Sequence, residues 1–367
     1  MKRFVILVIL LTNLLVQVRA GEYSLIHSDS IVVHKEHADT KFNATEFIFD
    51  HIGDSFEWHI FTANHHHYSI PLPIILYSKN SGLHVFLSSK FHSSDGTFNG
   101  FRIEKDGKYK GKIVELTEVG EINNNSPLPL DFSLTKNAVT VIFVCALLCW
   151  IFISIASKYK NKPNAAPTGL QNLFEPIILF VKNEIAIPSI GERKHIRFMP
   201  FLLTMFFFIW ISNLLGLIPI FPGGANVTGN IAVTLGLALF TFIVVNINGN
   251  RHYWKDIVNA PGVPWFLKLP IPIMPLVELM GIFIKPFVLM VRLFANILAG
   301  HMVAIVFMSL IFIFAAMKVW LGYVAAPISI LFSVFMTVLE LLVALIQAYV
   351  FTLLSAIYIG MATAEHH

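Results

Sequence analysis

Charged side chains are scarce in this chain. They make up 13% of its 367 residues, whereas a soluble domain carries roughly a quarter. Hydrophobic residues make up 56%. This composition excludes an ordinary soluble domain and predicts an integral membrane protein whose surroundings include the lipid bilayer. The formal net charge of +4 is small, so the sequence predicts no nucleic-acid partner.

Cysteine is scarce as well. The two cysteines, Cys145 and Cys149, lie four residues apart in an apolar segment, so we expect them to share a helix face as small hydrophobic side chains. Two such residues cannot form a disulfide framework or a cysteine-based metal site. Histidines 65–67 are adjacent, but neighbouring residues of a strand point to opposite faces. We therefore favour a solvated loop there over a metal site, and predict no metal and no cofactor.

The amino-terminal third differs in character from the rest. Residues 1–20 predict a secretory signal, with two basic residues, an apolar run and a small-residue end at Ala20. Arg19 makes the cleavage site imperfect, so an uncleaved anchor is the alternative. Residues 21–133 predict an exported extension. Short alternating runs, such as 84–87, are separated by turn sequences such as Asn80-Ser81-Gly82, which is typical of a small strand-rich module.

Residues 134–367 predict an all-α polytopic membrane domain. We expect five transmembrane helices plus an interfacial helix, the last two long and tilted because their apolar runs exceed one perpendicular crossing. The predicted spans are 137–157, 198–220, 226–245, 271–314 and 324–359, and the interfacial helix is 170–190. Lysines directly after the first span predict that its carboxyl end is cytoplasmic. The amino terminus is then outside, and the carboxyl terminus is cytoplasmic.

Polar side chains inside the apolar run 271–314 require an explanation. A charge at the centre of a bilayer costs about 2.5 to 3.5 kcal/mol on insertion scales, yet Arg292 lies there between apolar neighbours. Asn296 follows one turn later on the same helix face. His301 lies half a turn off that face and about 13.5 Å further along the helix axis. Upstream, Glu278 and Lys285 are seven residues apart, so they share a face toward the cytoplasmic end.

The last helix carries Glu340 and Gln347, seven residues apart on one face. If the two helices are antiparallel and Gln347 is level with Arg292, Glu340 lies within one turn of His301. An acid and an imidazole in contact can hold or pass protons, so the set predicts conduction of protons or small ions past a blocking arginine. The alternatives are an arginine that snorkels to the headgroups or closes an ion pair, and a purely structural His301–Glu340 pair.

Three function classes fit an intramembrane polar set of this kind. The first is a channel that conducts protons. The second is a proton-coupled secondary transporter in which Arg292 binds an anionic substrate, but such transporters have internal repeats, and the sequence has no evident repeat. The third is a structural membrane scaffold with an exported binding domain, which would not explain polar residues spaced along two adjoining helices.

Three motifs resemble subunit a of F-type ATP synthases: Asn213-Leu-Leu-Gly-Leu-Ile-Pro219, Arg292-Leu-Phe-Ala-Asn296-Ile-Leu-Ala-Gly300 and Gln347-Ala-Tyr-Val-Phe351. The resemblance covers about 137–367. It implies a non-catalytic proton-channel subunit of the bacterial inner membrane. The implied partners are a ring of c subunits, each with one membrane carboxylate, the b subunits of the peripheral stalk and other ATP synthase subunits.

The resemblance also implies roles for individual residues. Arg292 would face the c-ring and separate two half-channels. The outer half-channel would use Asn296, His301, Glu340 and Gln347, and the inner side Glu278 and Lys285. The long amino-terminal extension departs from the family. So does the placement of His301 and Glu340, because well-described members carry the acid on the arginine helix and the histidine on the last one. Whether H⁺ or Na⁺ is conducted stays open.

Overall fold

A computed structural model describes residues 53–63, 66–92, 96–104, 109, 111–117, 121–123, 127–161, 166–218, 223–258 and 273–364. The predicted signal segment 1–20 and its alternative as an anchor lie outside the described residues, and so does His65. The described part is mostly helical, with a strand-rich module at its amino-terminal end. The predicted strand-rich character of that region is therefore confirmed.

The described residues of the module form three small antiparallel sheets. The first pairs β1 with β2, the second has the order β4-β3-β8, and the third has the order β5-β6-β7. The strands are β1 Glu57–Ala63, β2 His66–Pro71, β3 Pro73–Ser78, β4 Gly82–Leu87, β5 Thr97–Phe98, β6 Phe101–Ile103, β7 Ile113–Glu115 and β8 Leu130–Asp131.

A hairpin between β3 and β4 forms around the predicted turn at Asn80-Ser81-Gly82. Ser78 pairs with Gly82, and Gly82 has a φ of 82°, a left-handed conformation that glycine adopts without steric cost. Ile74 and Leu76 of β3 are buried against residues of the third sheet. One face of the second sheet therefore forms the core of the module.

Eight α-helices follow in the described residues. A π-helical turn, Val181–Ala186, connects two consecutive ones. The predicted interfacial helix is helical throughout 170–190, which confirms that expectation at the level of secondary structure. The helices are α1 Lys136–Asn161, α2 Leu170–Phe180, α3 Ile187–Ile190, α4 His195–Leu217, α5 Ile231–Ile247, α6 Arg251–Val258, α7 Ile273–Met317 and α8 Val319–Thr363.

Several of these helices are long and apolar enough to cross a membrane. Among the described residues α1, α4, α7 and α8 meet that description, and α5 with α6 adds a fifth if the pair, bent by 107°, counts as one broken span. The chain is therefore a multi-pass membrane protein. α7 continues through Pro286 without interruption. α5 begins later than predicted because Asn230 caps it, its side chain accepting from Ala232 N at 3.0 Å.

The carboxyl end of α8 is held by side chains from two other segments. The Nζ of Lys194 donates to the Thr363 carbonyl at 2.7 Å, and Nδ2 of Asn250 donates to the same carbonyl at 2.9 Å. Gly360 is packed so closely that a Cβ there would lie 1.9 Å from the carbonyl oxygen of Ser189. These contacts satisfy a terminal helix carbonyl that has no partner within the helix.

Hydrogen bonds, in addition to the covalent chain, attach the strand module to the amino-terminal end of α1. One carboxylate oxygen of Asp54 accepts from Thr135 Oγ1 at 2.7 Å, and the other accepts from the backbone N–H of Asn137 at 3.2 Å. Lys136 N donates to the Ser55 carbonyl at 3.0 Å. Asp54 therefore caps α1 from a distant part of the sequence, where a negative charge is also favoured by the helix dipole.

Candidate functional site between the last two helices

Helices α7 and α8 pack side by side in opposite directions, joined at Lys318, whose backbone is extended. Near the joint, a Cβ on Gly322 would lie 2.7 Å from the Cβ of Ala315, so the glycine lets the two helices approach closely. Further along, the rings of Phe307 and Phe332 stack with centroids 5.2 Å apart. These contacts fix one antiparallel register over most of the length of both helices.

The register brings His301 of α7 against Glu340 of α8, as the sequence predicts. His301 Nδ1 and Glu340 Oε1 are 2.7 Å apart, with side-chain exposures of 19% and 6%. The contact has the distance of an ion pair but not the alignment of a hydrogen bond, and Oε1 has no hydrogen-bond partner among the described residues. A buried acceptor left in this state is unusual in proteins, and it is available to a proton or a water molecule.

Two glycines border this pair. A Cβ on Gly300 would lie 3.3 Å from Glu340 Oε1, and a Cβ on Gly216 would lie 3.6 Å from His301 Nε2. Gly216 belongs to the last turn of α4. The imidazole of His301 therefore lies between the Glu340 carboxylate on α8 and the last turn of α4.

Arg292 and Asn296 lie on the exposed side of α7, which confirms that they share a face and that this face differs from the side where His301 meets Glu340. Gln347 is buried on α8, and its Nε2 donates to the backbone carbonyl of Arg292 at 3.2 Å. This bond sets the two residues level, which is the condition on which the predicted contact of His301 with Glu340 depends. Arg292 is exposed, and so are the neighbouring apolar residues Val288 and Val291 of the same helix.

The other two predicted site residues lie toward the amino-terminal end of α7. Lys285 Nζ is 5.6 Å from the centroid of the Tyr358 ring, a distance at which a cation is attracted to an aromatic face. Lys285 and Tyr358 border a cavity of about 20 Å³ together with Asn246 and Tyr253. Glu278 is exposed and within electrostatic range of Tyr253. The described residues contain no ion pair between Glu278 and Lys285.

A buried polar group beside the His301–Glu340 pair was not predicted as part of the site. Thr228 Oγ1 donates to Asn213 Oδ1, and both residues are buried. Within the described residues Asn213 Nδ2, Ser212 Oγ and Asn226 Nδ2 have no hydrogen-bond partner. Asn213 lies one turn before Gly216, the residue that faces His301. The available signal was an asparagine inside an apolar helix, which is a candidate functional residue by position alone.

Comparisons with known proteins agree with the architecture. The family model described as ATP synthase A chain matches residues 138–360, and a model described only as a domain of unknown function matches residues 47–132. The chain is similar to ATP synthase subunit a of Chloroherpeton thalassium, with 44% identity over 242 residues, which is 64% of this chain and 68% of the relative.

A second relative, ATP synthase subunit a of Myxococcus xanthus, is 42% identical over 293 residues, which is 78% of this chain and 90% of the relative. ATP synthase subunit a 2 of Chlorobaculum tepidum is 44% identical over 242 residues, 64% of each chain. Because the family model spans more than half of the chain and nine-tenths of one relative is matched, this chain belongs to the ATP synthase subunit a family, the non-catalytic proton-channel subunit of the membrane sector (Fo).

Proposed function

We propose that protons cross this subunit in two half-channels separated by Arg292, and that the His301–Glu340 pair belongs to the outer one. The observation that carries the proposal is the 2.7 Å contact between His301 Nδ1 and Glu340 Oε1 in a largely buried position. An imidazole and a carboxylate at that distance can share a proton and release it to a neighbouring acceptor. Asn296 and Gln347 complete the outer set.

The polar group around Asn213 supports a route to this pair from α4. Buried donors and acceptors without protein partners are satisfied by water in most proteins. Ser212, Asn213 and Asn226 supply three such atoms, and Gly216, one turn after Asn213, borders His301 Nε2. Water molecules there would deliver protons to the imidazole, and Glu340 would receive them on its far side.

Arg292 is proposed to face a ring of c subunits. Its side is exposed in this chain, and exposure of a guanidinium to lipid would cost about 2.5 to 3.5 kcal/mol on insertion scales. A carboxylate on the partner would remove that cost. The arginine charge would in turn favour the deprotonated form of each passing carboxylate, and it would oppose direct passage of protons between the half-channels.

The inner half-channel is proposed to lie around Lys285 and Glu278. The small cavity lined by Lys285, Tyr253 and Tyr358 is large enough for a water molecule by the usual volume criterion of about 10 to 15 Å³. Glu278 adds an exposed carboxylate at the same end of α7. One proton crossing about 100 mV releases roughly 2.3 kcal/mol. Because the two half-channels are offset, the proton would travel between them on the rotating ring of c subunits.

The proposed topology has five crossings, with the amino terminus outside and the carboxyl terminus in the cytoplasm of a bacterium. Residues 1–20 are the proposed signal, 21–133 the exported extension and 134–367 the membrane domain. The support is the excess of basic residues in the last turn of α1 and around 193–197, which favours the cytoplasmic side. The b subunits of the peripheral stalk are proposed as further partners of the membrane domain.

The experiment is ATP-driven proton pumping in inverted membrane vesicles containing Arg292→Ala. We expect the complex to assemble and pumping to be abolished, because no charge then drives deprotonation of the ring carboxylates. The matched control is Arg193→Ala, which removes an exposed arginine from a loop and should leave pumping at the parental level. Normal pumping by Arg292→Ala would refute the assignment of this residue.

A further inference from the structure

One face of the β4-β3-β8 sheet is apolar and exposed. We call it the outer sheet face. Leu83 and Val85 of β4 are 66% and 63% exposed, and the remaining large exposed members are Tyr77, Leu87, Leu130 and Phe132. Tyr77 pairs with both Leu83 and Leu130, so these side chains form one continuous patch. Patches of this kind on a protein surface mark interaction sites.

The opposite face of the same sheet is apolar too. Ile74 and Leu76 alternate with the exposed residues of β3 and are buried against Phe101 and Ile113 of the neighbouring sheet. An antiparallel sheet with one side in water normally carries polar side chains there. Apolar side chains on both faces indicate that the outer sheet face is covered in the assembled protein.

The position of the outer sheet face identifies what covers it. Phe132 comes four residues before the start of α1, a helix long enough to span the membrane. Its side chain lines a cavity of about 60 Å³ together with Ala138 and Val141 of α1 and Val233 of α5. Asp54, Asp131 and Asn230 also line this cavity, so the patch reaches the first turns of two membrane helices across a partly polar cavity. The contacts of Asp54 with Thr135 and Asn137 hold the module in this position.

The composition of the patch fits a lipid surface. Its members on β3, β4 and β8 are uncharged, and α1 continues the apolar surface with the exposed Phe143 and Trp150. Tyr77 is a residue type enriched at the membrane–water interface, and the exposed Lys79 follows it at the end of β3, where its apolar stem can lie along the patch while its ammonium group reaches the headgroups. We propose that the outer sheet face rests on the bilayer surface, at the side of the membrane where α1 begins.

This inference goes beyond the proton path and does not depend on it. It gives the module a mechanical part in the complex, because a sheet lying on the lipid surface restricts tilting of α1 at its amino-terminal end. If the proposed proton path is refuted, the outer sheet face can still contact lipid. If the outer sheet face is shown to contact water, the proposed proton path still stands.

The test uses the full ATP synthase complex reconstituted into vesicles, with Cys145→Ala and Cys149→Ala as background. One variant adds Val85→Cys at the centre of the patch, and the matched control adds Thr117→Cys, an exposed residue next to β7 in the other sheet layer. Each new cysteine carries an environment-sensitive fluorophore. Quenching is measured with nitroxide groups on the lipid chains and, separately, with iodide in the water.

We expect the label at position 85 to have blue-shifted emission, strong quenching by the nitroxide lipids and weak quenching by iodide, with the opposite result at position 117. Equal iodide quenching at the two positions would overturn the proposal, because the patch would then face water. Protection from both quenchers would also overturn it, because protein would then cover the patch, either residues 1–52 or another subunit. Leu83→Cys provides a second position that must give the same result as Val85→Cys.

Discussion

Removal of the Glu340 carboxylate tests the outer half of the proton path. The substitution Glu340→Gln keeps the size of the side chain and its place against Gly300, but it removes the group proposed to exchange protons with His301. The two groups are 2.7 Å apart, so a change in side-chain alignment, without a change in distance, allows transfer in the parent. A positioned acid or base typically contributes about 10²- to 10⁴-fold to a proton-transfer rate, and we expect a loss of proton conductance near the lower limit, about 10²-fold.

The assay is passive proton flow through the membrane sector, measured in vesicles stripped of the catalytic sector and driven by a potassium diffusion potential. Glu192→Gln, which neutralises an exposed acid in a loop, is the matched control and should conduct like the parent. Assembly is measured on the same membranes by co-purification of the other ATP synthase subunits. Conductance of Glu340→Gln equal to that of the control would remove Glu340 from the path.

The exchanged positions of the acid and the histidine allow a stricter version of this test. The double variant His301→Glu with Glu340→His restores the order found in well-described family members and keeps both groups in the same contact. If the pair works as a unit, the double variant should conduct more than either single variant, because neighbouring residues are not additive. If the losses of conductance in the two single variants simply multiply in the double variant, the contact has no part in proton transfer.

Three further predictions concern packing and attachment. Gly360→Ala would place a Cβ 1.9 Å from the Ser189 carbonyl, so overpacking should destabilise the subunit by about 1 to 3 kcal/mol, measured as a lower thermal midpoint of the purified complex. Asp54→Ala should destabilise attachment of the strand module by about 1 to 2 kcal/mol through loss of the α1 cap, measured as faster proteolysis of residues 53–132, with Asp54→Asn losing less. Thr228→Val leaves Asn213 Oδ1 buried without its donor, which should cost about 1 to 3 kcal/mol and lower proton conductance while assembly is kept.

The contact between His301 and Glu340 could be predicted because helix periodicity and antiparallel packing leave few choices. Once Gln347 is taken to lie level with Arg292, the spacing along both helices decides which residues meet. The close approach at Gly322 and Ala315 then sets the register. Family membership decides between the stator channel and the transporter hypothesis, which spacing alone left open.

The contact between Thr228 and Asn213 could not be predicted in the same way. It joins the last turns of α4 to the segment before α5, and its formation depends on a loop whose path the sequence pattern does not specify. The cap that Asp54 gives to α1 is equally non-local. The short helix α6 was missed because its residues are mostly polar and follow the turn-like sequence Asn248-Gly249-Asn250.

The sequences of two strands also indicate the apolar character of the outer sheet face. The strand sequences of β3, PIILYS, and β4, GLHVFL, are nearly continuous apolar runs rather than strict alternations. Such runs are typical of strands covered on both faces. Strict alternation predicts a strand with one face in water, so alternation alone does not indicate the second apolar face of this sheet.

The central claim is that the exposed side of α7 around Arg292 faces the c-ring. It is tested most directly by photo-crosslinking from Asn296→Cys, which lies one turn from Arg292 on that side, in the Cys145→Ala and Cys149→Ala background with a photoreactive maleimide. Ile153→Cys on the exposed side of α1 is the control. The account predicts a covalent adduct between the label at position 296 and the c subunit, and none from position 153. A label at position 296 that reacts with lipid or another subunit, but never with the c subunit, would contradict it.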